Sequence, residues 1–217
     1  MQIEQTADGS YTLFVPELNE HYHSVKGALT ESQHIFINMG LKHCSVLEPH
    51  ILEIGFGTGL NAFLTLLEAE KSHRNVHFTT IERYPLDIDT IRSMNYPAQI
   101  APDYTTAYEA LHTAIWNKDA HITDYFTLHK IEADFTHYQF STGYDVIYFD
   151  AFAPEKQPEM WSQELFNQLY SVLNKGGILT TYCAKGVIRR MLLAAGFIVE
   201  RLPGPPGGKR EILRATK

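Results

Sequence analysis

Short apolar runs alternate with helical patterns from His50 onward. The runs "HILEIG", "VHFTTIE", "FTLHKIEAD", "YDVIYFD" and "GGILTTYCA" are rich in β-branched and aromatic residues and predict five strands. Apolar residues recur at helical spacing in "LNAFLTLLEAEK", "LDIDTIRSM", "TTAYEALHTAIW", "SQELFNQLYSVL" and "VIRRMLLAAG". Ser162 is a suitable N-cap for the fourth helix, and Gly196 closes the fifth. The last runs, "FIVERL" and "KREILRAT", predict a terminal antiparallel pair.

This alternation is typical of an α/β fold in which helices cover both faces of a mostly parallel sheet. Ligands of such sheets bind beyond the carboxyl ends of the central strands. Residues 1–49 break the alternation, because "SYTLFVPELNEHYHSVKGALTESQHIFINMGL" reads as β-hairpin material and a loop. We therefore expect one globular unit. A β-rich extension over residues 1–49 covers the ligand end of an α/β domain over residues 50–217.

The bulk composition is that of an ordinary soluble protein. The 217 residues, of which 44% are hydrophobic and 20% charged, suit one sizeable core rather than two complete domains. No secretory signal and no apolar run of membrane-spanning length is visible. Cys44 and Cys183 share no metal-ligand spacing, and histidines such as His21, His23 and His34 lack a metal-binding context. We expect a cytoplasmic protein with reduced thiols, no metal and no membrane contact.

The net charge of −7 is unevenly distributed. Residues 175–217 contain nine Lys and Arg against Glu200 and Glu211, so this segment carries +7 and the rest of the chain −14. Such asymmetry can mark a face that binds a polyanion. A solvated surface with scattered lysines explains the count equally well.

A glycine-rich turn separates the first predicted strand from the first helix. In "LEIGFGTGLN", Gly55, Gly57 and Gly59 let the backbone approach a ligand, and the helix N-terminus offers free N–H groups. Dinucleotide-binding folds prefer G-x-G-x-x-G, whereas G-x-G-x-G after Glu53 suits a ligand without phosphate, such as S-adenosylmethionine. Asn61 joins these candidate cofactor-binding residues. The alternative is a tight turn without a ligand.

Two further carboxylates follow predicted strands. Glu82 closes the second strand, 23 residues after Gly59, where a carboxylate can bind both hydroxyls of a ribose. Asp134 closes the third strand, where it can accept a hydrogen bond from an adenine amino group. Each alone would be an ordinary strand-end acid. Together with the glycines they favour an adenosyl ligand and a Rossmann-like class I methyltransferase.

The stretch "YFDAFAPEKQPEMW" combines a strand-end acid with a stiff loop. Asp150 is predicted to lie beside the glycine turn, and Pro154 and Pro158 restrict the loop after it. A primary alkyl amine is mostly protonated at neutral pH, and a carboxylate here could hold the amine and take its proton. Phe152 and Trp161 could give the acceptor aromatic faces, with ordinary core packing as the alternative.

Several of these motifs together point to a family. The stretches "GFGTGLN", "IERYPL", "YFDAFAPEKQPEMW", "GKRE" and "YHSVKGALTESQHIFI" strongly resemble the methyltransferase domain of the bifunctional tRNA 5-methylaminomethyl-2-thiouridine biosynthesis family, MnmC, and its stand-alone relatives. The resemblance covers nearly the whole chain from about Tyr22. It implies transfer of a methyl group from S-adenosylmethionine to the aminomethyl group of a wobble uridine in tRNA. It also implies that Gly55, Gly57, Glu82, Asp134 and Asp150 line the cofactor pocket, with Asp150 near the transferred methyl.

The resemblance extends to the loop and the basic tail. The candidate substrate-binding residues are Phe152, Pro154, Lys156, Trp161, Lys185, Lys209 and Arg210, the last three by contact with tRNA phosphates. His23, Ser24 and Glu31 are expected to reach the cofactor or the uridine. The chain departs from the family pattern at Gln157, where an asparagine is expected. The FAD-dependent oxidase domain of the bifunctional members has no counterpart here, so we expect a partner to supply the aminomethyluridine tRNA.

Two alternatives remain open. The same acid could serve a transferase that moves a methyl or aminopropyl group to a small-molecule amine. The chain could also bind an adenosyl ligand without turnover, as a partner in tRNA modification.

Overall fold

Eleven β-strands and seven α-helices form along residues 1–217, all of which the computed structural model describes. The strands are β1 (Gln2–Gln5), β2 (Tyr11–Val15), β3 (Glu20–His21), β4 (His50–Ile54), β5 (Val76–Glu82), β6 (Asp119–Thr123), β7 (Phe126–Glu132), β8 (Tyr144–Phe149), β9 (Leu173–Thr181), β10 (Ile198–Pro203) and β11 (Glu211–Thr216). The helices are α1 (Ala28–Ser32), α2 (Leu60–Ser72), α3 (Ile88–Met94), α4 (Tyr96–Ile100), α5 (Thr105–Thr113), α6 (Gln163–Val172) and α7 (Gly186–Ala195).

Eight strands form the central sheet in the order β10-β11-β9-β8-β4-β5-β7-β6. Strands β4, β5, β7, β8 and β9 run parallel to their neighbours in this group, whereas β11 is antiparallel to β9 and β10 to β11. The predicted mostly parallel sheet with a terminal antiparallel strand is confirmed. Strand β6, antiparallel to β7 at the opposite edge, was not predicted, because its residues are largely polar and half-exposed.

Strand β4 lies at the point where the strand order reverses. The chain passes from β4 to β5 on one side, and β8 later pairs with β4 on the other side. In the register, Ile54 pairs with both Ile81 and Phe149. The residues that follow these three positions therefore leave the sheet side by side, where a crevice forms in folds of this type.

Two apolar layers hold the helices against the sheet. Central strands buried on both faces carry nearly continuous apolar runs, and successive side chains alternate between the layers. On β8, Tyr148 packs with Phe36 under α2, whereas Phe149 packs with Trp161 and Phe166 under α6. Ser162 caps α6 by accepting a hydrogen bond from the backbone N–H of Leu165, as predicted.

Residues 1–49 contain both the predicted strands and an unpredicted helix. Strands β1, β2 and β3 form a separate antiparallel sheet. The segment expected to be a loop instead forms α1 and a π-helical continuation, Gln33–Asn38. Its residues Ile35, Phe36 and Ile37 are all buried, because the helix is enclosed by α2 and β9. Three consecutive apolar residues conceal the helical period in the sequence.

No helix combines the length and the apolar composition that crossing a membrane requires. No three side chains of His, Cys, Asp or Glu converge in a way that could hold a metal ion. Both cysteines, Cys44 and Cys183, are buried free thiols.

Candidate functional site

A cavity of about 470 Å³ lies beyond the carboxyl ends of β4, β5, β7 and β8. The loops that leave these strands form its floor and walls. Val15, Leu18, Tyr22 and His23 of the N-terminal segment form part of its lining. The ligand end of the sheet is therefore covered by residues of the segment that the sequence assigns to this position.

The glycine turn requires glycine for two reasons. All three residues have positive φ angles, +93° at Gly55, +49° at Gly57 and +71° at Gly59, which side chains disfavour. A Cβ atom would also lie 3.1 Å from the Asp150 carbonyl oxygen at Gly55 and 2.9 Å from the Tyr22 ring at Gly57. Gly55 and Gly57 line the cavity. Gly59 does not line the cavity and instead faces the His112 ring.

Glu82 joins the glycine turn to the end of β5. Its carboxylate accepts hydrogen bonds from the backbone N–H groups of Gly57, at 3.1 Å, and Tyr84, at 2.8 Å. These bonds fix the carboxylate at the cavity wall and leave lone pairs free for ligand hydroxyls. The geometry fits the ribose contact predicted for this residue.

Asp134 also lines the cavity, but most of its acceptor capacity is used within the protein. One oxygen accepts from the backbone N–H and the hydroxyl of Thr136, and the other accepts from Arg83 at 2.7 Å. The bonds from Thr136, and then the charge of Arg83, hold the pKa of Asp134 below its ordinary value. A carboxylate has roughly four lone-pair directions, so one remains for an adenine amino group.

Three polar side chains lie behind the glycine turn. Glu53 is fully buried beneath the cavity and accepts from the Thr80 hydroxyl at 2.7 Å, while its other oxygen has no hydrogen-bond partner. Asn61 lines the cavity and donates to Asp150 at 2.8 Å. Burial raises the pKa of Glu53 well above its ordinary value, which favours the neutral acid. Glu53 therefore lies behind the glycine turn and does not line the cofactor cavity as predicted.

Asp150 is the acid that faces the open space. Its pKa is raised to about 7, chiefly by burial and to a smaller extent by the charge of Glu31, against the lowering effects of the Asn61 hydrogen bond and the charge of Lys209. A carboxyl group with this pKa can take up and release a proton near neutral pH.

A second cavity of about 290 Å³ adjoins the first. Asp150, Phe152, Tyr22 and His23 line both cavities. The rings of Tyr22 and Phe152 meet edge to face, with centroids 5.0 Å apart, and form the wall between them. Asp150 thus lies where a ligand of one cavity would meet a ligand of the other.

The structure separates the sequence-predicted residues into two groups. Those that line the first cavity are Gly55, Gly57, Asn61, Glu82, Asp134, Asp150, Phe152 and Lys156. The others, except Lys209, line neither cavity: Glu53, Gly59, Pro154, Trp161, Lys185 and Arg210. Lys185 forms an ion pair with Glu155.

Trp161 does not present an aromatic face to either cavity. It is 3% exposed in the core, and its Nε1–H donates to the carbonyl oxygen of Phe152 at 2.9 Å. It therefore fixes the loop that carries Phe152, and ordinary packing, the alternative for this residue, is correct.

The two predicted residues Lys209 and Arg210 of the basic tail lie in different surroundings. The ammonium group of Lys209 is turned toward Glu31, 2.7 Å away, and lines the second cavity, which does not match the phosphate contact predicted for it. Arg210 remains exposed on the surface. Ser24 and Glu31 line the second cavity as well, whereas His23 borders both.

Two aromatic residues of the site were missed. Tyr22 begins the N-terminal motif, and Tyr182 follows β9 and donates from its hydroxyl to the Ala151 carbonyl oxygen at 2.7 Å. The position of Tyr182 directly after a parallel strand is a signal that could have identified it.

Comparisons with known proteins identify the relatives of this chain. A family model described as S-adenosyl-L-methionine-dependent methyltransferase matches residues 95–217. The tRNA 5-methylaminomethyl-2-thiouridine biosynthesis bifunctional protein MnmC of Magnetococcus marinus is 33% identical over 216 residues, covering 94% of this chain and 32% of that protein. The protein of the same name from Cupriavidus metallidurans is 32% identical over 218 residues, covering 93% and 32%. The chain thus spans about a third of the length of these relatives.

Solved structures share the fold. MNMC2 from Aquifex aeolicus superposes with a TM-score of 0.75 at 24% identity, covering 99% of this chain and 69% of that one. Spermidine synthase from Thermotoga maritima gives a TM-score of 0.57 at 16% identity, covering 100% and 72%. With the glycine turn, Glu82 and Asp150 in place around one cavity, and with the family model matching more than half of its residues, the chain belongs to the S-adenosyl-L-methionine-dependent methyltransferase family.

Proposed function

We propose that this chain methylates the amino nitrogen of a 5-aminomethyluridine, with or without 2-thiolation, at the wobble position of tRNA. The observation that carries the proposal is the position of Asp150 at the junction of two adjoining cavities. The similarity to MnmC proteins over nearly the whole chain supports the choice of acceptor.

The residues of the larger cavity fit S-adenosylmethionine. Gly55 and Gly57 leave space that a Cβ atom would fill, and Glu82 presents a carboxylate for the ribose hydroxyls. Asn61 and Asp134 would complete the set that holds this cofactor. When bound, S-adenosylmethionine supplies an electrophilic methyl group on a positively charged sulfur atom.

Asp150 is the proposed catalytic residue. The acceptor nitrogen gains a methyl group and must lose a proton, and a carboxylate with a pKa of about 7 can hold an N–H of the amine and receive that proton. The bond from Asn61 keeps one carboxylate oxygen in place, so the other oxygen is available to the amine. The Tyr22 and Phe152 rings are proposed to confine the base beside this oxygen.

The exposed arginines of the basic segment from Lys175 to Lys217 form the proposed contact surface for the tRNA backbone. Arg190 and Arg210 are exposed and Arg189 is half-exposed, and arginine side chains bind phosphate through several N–H donors. Such contacts position a nucleic acid without reading its sequence. Because the rest of the chain carries −14, binding would be confined to this face.

We expect the acceptor tRNA to arrive with its aminomethyl group already formed by a partner activity, and we expect the reaction to take place in the cytoplasm.

The location of a radioactive methyl group tests the proposed function. The protein is incubated with methyl-labelled S-adenosylmethionine and tRNA that carries the aminomethyl group, in the presence of a mixture of small amines. Label in tRNA supports the proposal. Label in a small amine, or cofactor binding without transfer, contradicts it. The variant Asp124→Asn, which removes an exposed acid in the turn between β6 and β7, is the matched control for Asp150→Asn.

A further inference from the structure

The second cavity has the charge of a cation-binding site. Three carboxylates line it, those of Glu20, Glu31 and Asp150, against one ammonium group, that of Lys209. Burial, and then the charge of Lys209, lower the pKa of His23 to about 4, so this histidine adds no charge at neutral pH. A cavity with this balance attracts a cationic acceptor and repels an anionic one.

Lys209 already places an alkylammonium group in this cavity. Its Nζ atom lies 2.7 Å from a carboxylate oxygen of Glu31 and 4.4 Å from the centroid of the Tyr182 ring. A carboxylate on one side and an aromatic face on the other form a common binding site for ammonium groups. The Glu31 side chain is 10% exposed, and its carboxylate has no hydrogen-bond partner other than Lys209.

We propose that Glu31 and Tyr182 form the subsite for the protonated aminomethyl group of the acceptor, and that Lys209 occupies this subsite until the acceptor displaces it. This inference rests on the proposed function, because it assigns the amine of that reaction to a place in the second cavity. Lys209 can leave without crossing the core, since its side chain is 39% exposed and lies on the loop between β10 and β11.

The subsite determines which acceptors are accepted. When the ammonium group of an acceptor replaces that of Lys209, the buried Glu31 carboxylate keeps one positively charged partner. A hydroxymethyl group carries no charge, so it would leave Glu31 without a counter-ion, and an unpaired buried charge is unfavourable. Glu31 therefore selects amines over alcohols on binding. Asp150 then takes a proton from the ammonium group, which frees the nitrogen lone pair to attack the methyl group.

Calorimetric titration with benzylammonium tests the subsite without any turnover. This probe carries an aminomethyl group on a flat ring, and benzyl alcohol is its uncharged control. The variant Lys209→Met removes the competing ammonium group and keeps the stem, so benzylammonium should bind it about tenfold more tightly than it binds the unmodified protein. The variant Glu31→Gln keeps the shape and removes the charge, so its affinity for benzylammonium should fall by about tenfold or more. Benzyl alcohol should bind all three proteins equally weakly.

Three results would overturn the subsite: equal affinity of all three proteins for benzylammonium, tighter binding of benzyl alcohol than of benzylammonium, or weaker binding of benzylammonium to Lys209→Met than to the unmodified protein. The Michaelis constant for aminomethylated tRNA gives an independent check, because Lys209→Met should lower it and Glu31→Gln should raise it. A higher constant for Lys209→Met would place this residue on a phosphate and would also overturn the inference.

The two proposals fail in different ways. If tRNA is not methylated but benzylammonium binding follows the predicted order, the subsite stands and the proposed function is wrong. If tRNA is methylated and Glu31→Gln binds benzylammonium as the unmodified protein does, the proposed function stands and the subsite is wrong.

Discussion

Replacing Asp150 by asparagine should greatly slow methyl transfer and stabilise the fold. Burial raises the pKa of Asp150 from 3.8 to about 7, so at high pH the ionised carboxylate is less favourable in the folded than in the unfolded chain. This difference corresponds to ~4 kcal/mol of unfolding free energy, and water in the cavity screens part of it. Asparagine keeps the acceptor oxygen for Asn61 and carries no charge, so we expect a gain of about 2–4 kcal/mol at pH 8.

The sign of the pH dependence follows from the direction of the pKa change. A folded-state pKa above the unfolded value means that the folded chain holds its proton to higher pH, so Asp150 contributes most to stability below about pH 4. That contribution is lost as the pH rises through about 7. The gain from Asp150→Asn should therefore be largest at pH 8, about 1–2 kcal/mol at pH 5 and close to zero near pH 3.8.

Urea unfolding at pH 5 and pH 8 measures this effect, with the fluorescence of the buried Trp161 as one signal. The turnover number of Asp150→Asn should fall by ~10²–10⁴, the usual contribution of a general base. The exposed-acid variant Asp124→Asn should change neither quantity. A lower stability of Asp150→Asn at pH 8, or a gain of the same size at both pH values, would refute the assignment of Asp150 as a buried, perturbed acid.

Three further substitutions test other parts of the site. Gly57→Ala strains a positive φ and puts a Cβ 2.9 Å from an aromatic ring, so the dissociation constant of S-adenosylmethionine should rise by ~10-fold or more. The control Gly143→Ala also has a positive φ, but its Cβ would have nothing within 4 Å, so it should leave this constant unchanged. Equal effects of the two variants would contradict the role of the turn. Burial lowers the pKa of Lys130 to about 8, so the unfolding free energy should rise by ~3 kcal/mol between pH 8 and 10.5, because the unfolded chain binds the extra proton. Lys130→Met should lose this rise in urea unfolding, and an unchanged rise would show that another group causes it. Arg210→Glu should raise the Michaelis constant for tRNA and reduce its dependence on salt, whereas Arg92→Glu, outside the basic segment, should not; similar kinetics for both would exclude Arg210 from the tRNA surface.

The sheet and the floor of the site could be predicted because both depend on local sequence. Short apolar runs, separated by helical patterns, specify the parallel strands. A parallel strand places its last residue and the residue after it at the ligand edge, whatever the rest of the chain does. Gly55, Glu82 and Asp150 are all such residues. For this reason the order of strand ends in the sequence was enough to predict that these three residues lie close together.

The remaining residues depend on contacts between distant parts of the chain. Trp161 stands in a loop next to candidate site residues, but its ring fills the core between Phe149 and Phe166, and only the packing of α6 decides this. In the sequence, Lys209 is one of several cations expected on the surface. Only the fold brings it to Glu31 of α1, which is 178 residues away in the sequence. The helical character of the π-helical segment Gln33–Asn38 was itself concealed by three consecutive apolar residues, all of which are buried.

Mass analysis of tRNA nucleosides tests the central claim most directly. Aminomethylated tRNA is incubated with the protein and S-adenosylmethionine, digested and separated. The proposed reaction predicts that 5-aminomethyluridine disappears and that a nucleoside heavier by one methylene group replaces it, with the added methyl on the side-chain nitrogen. A methyl group on any other nucleoside, or an unchanged 5-aminomethyluridine peak beside a protein that binds the cofactor, would contradict it.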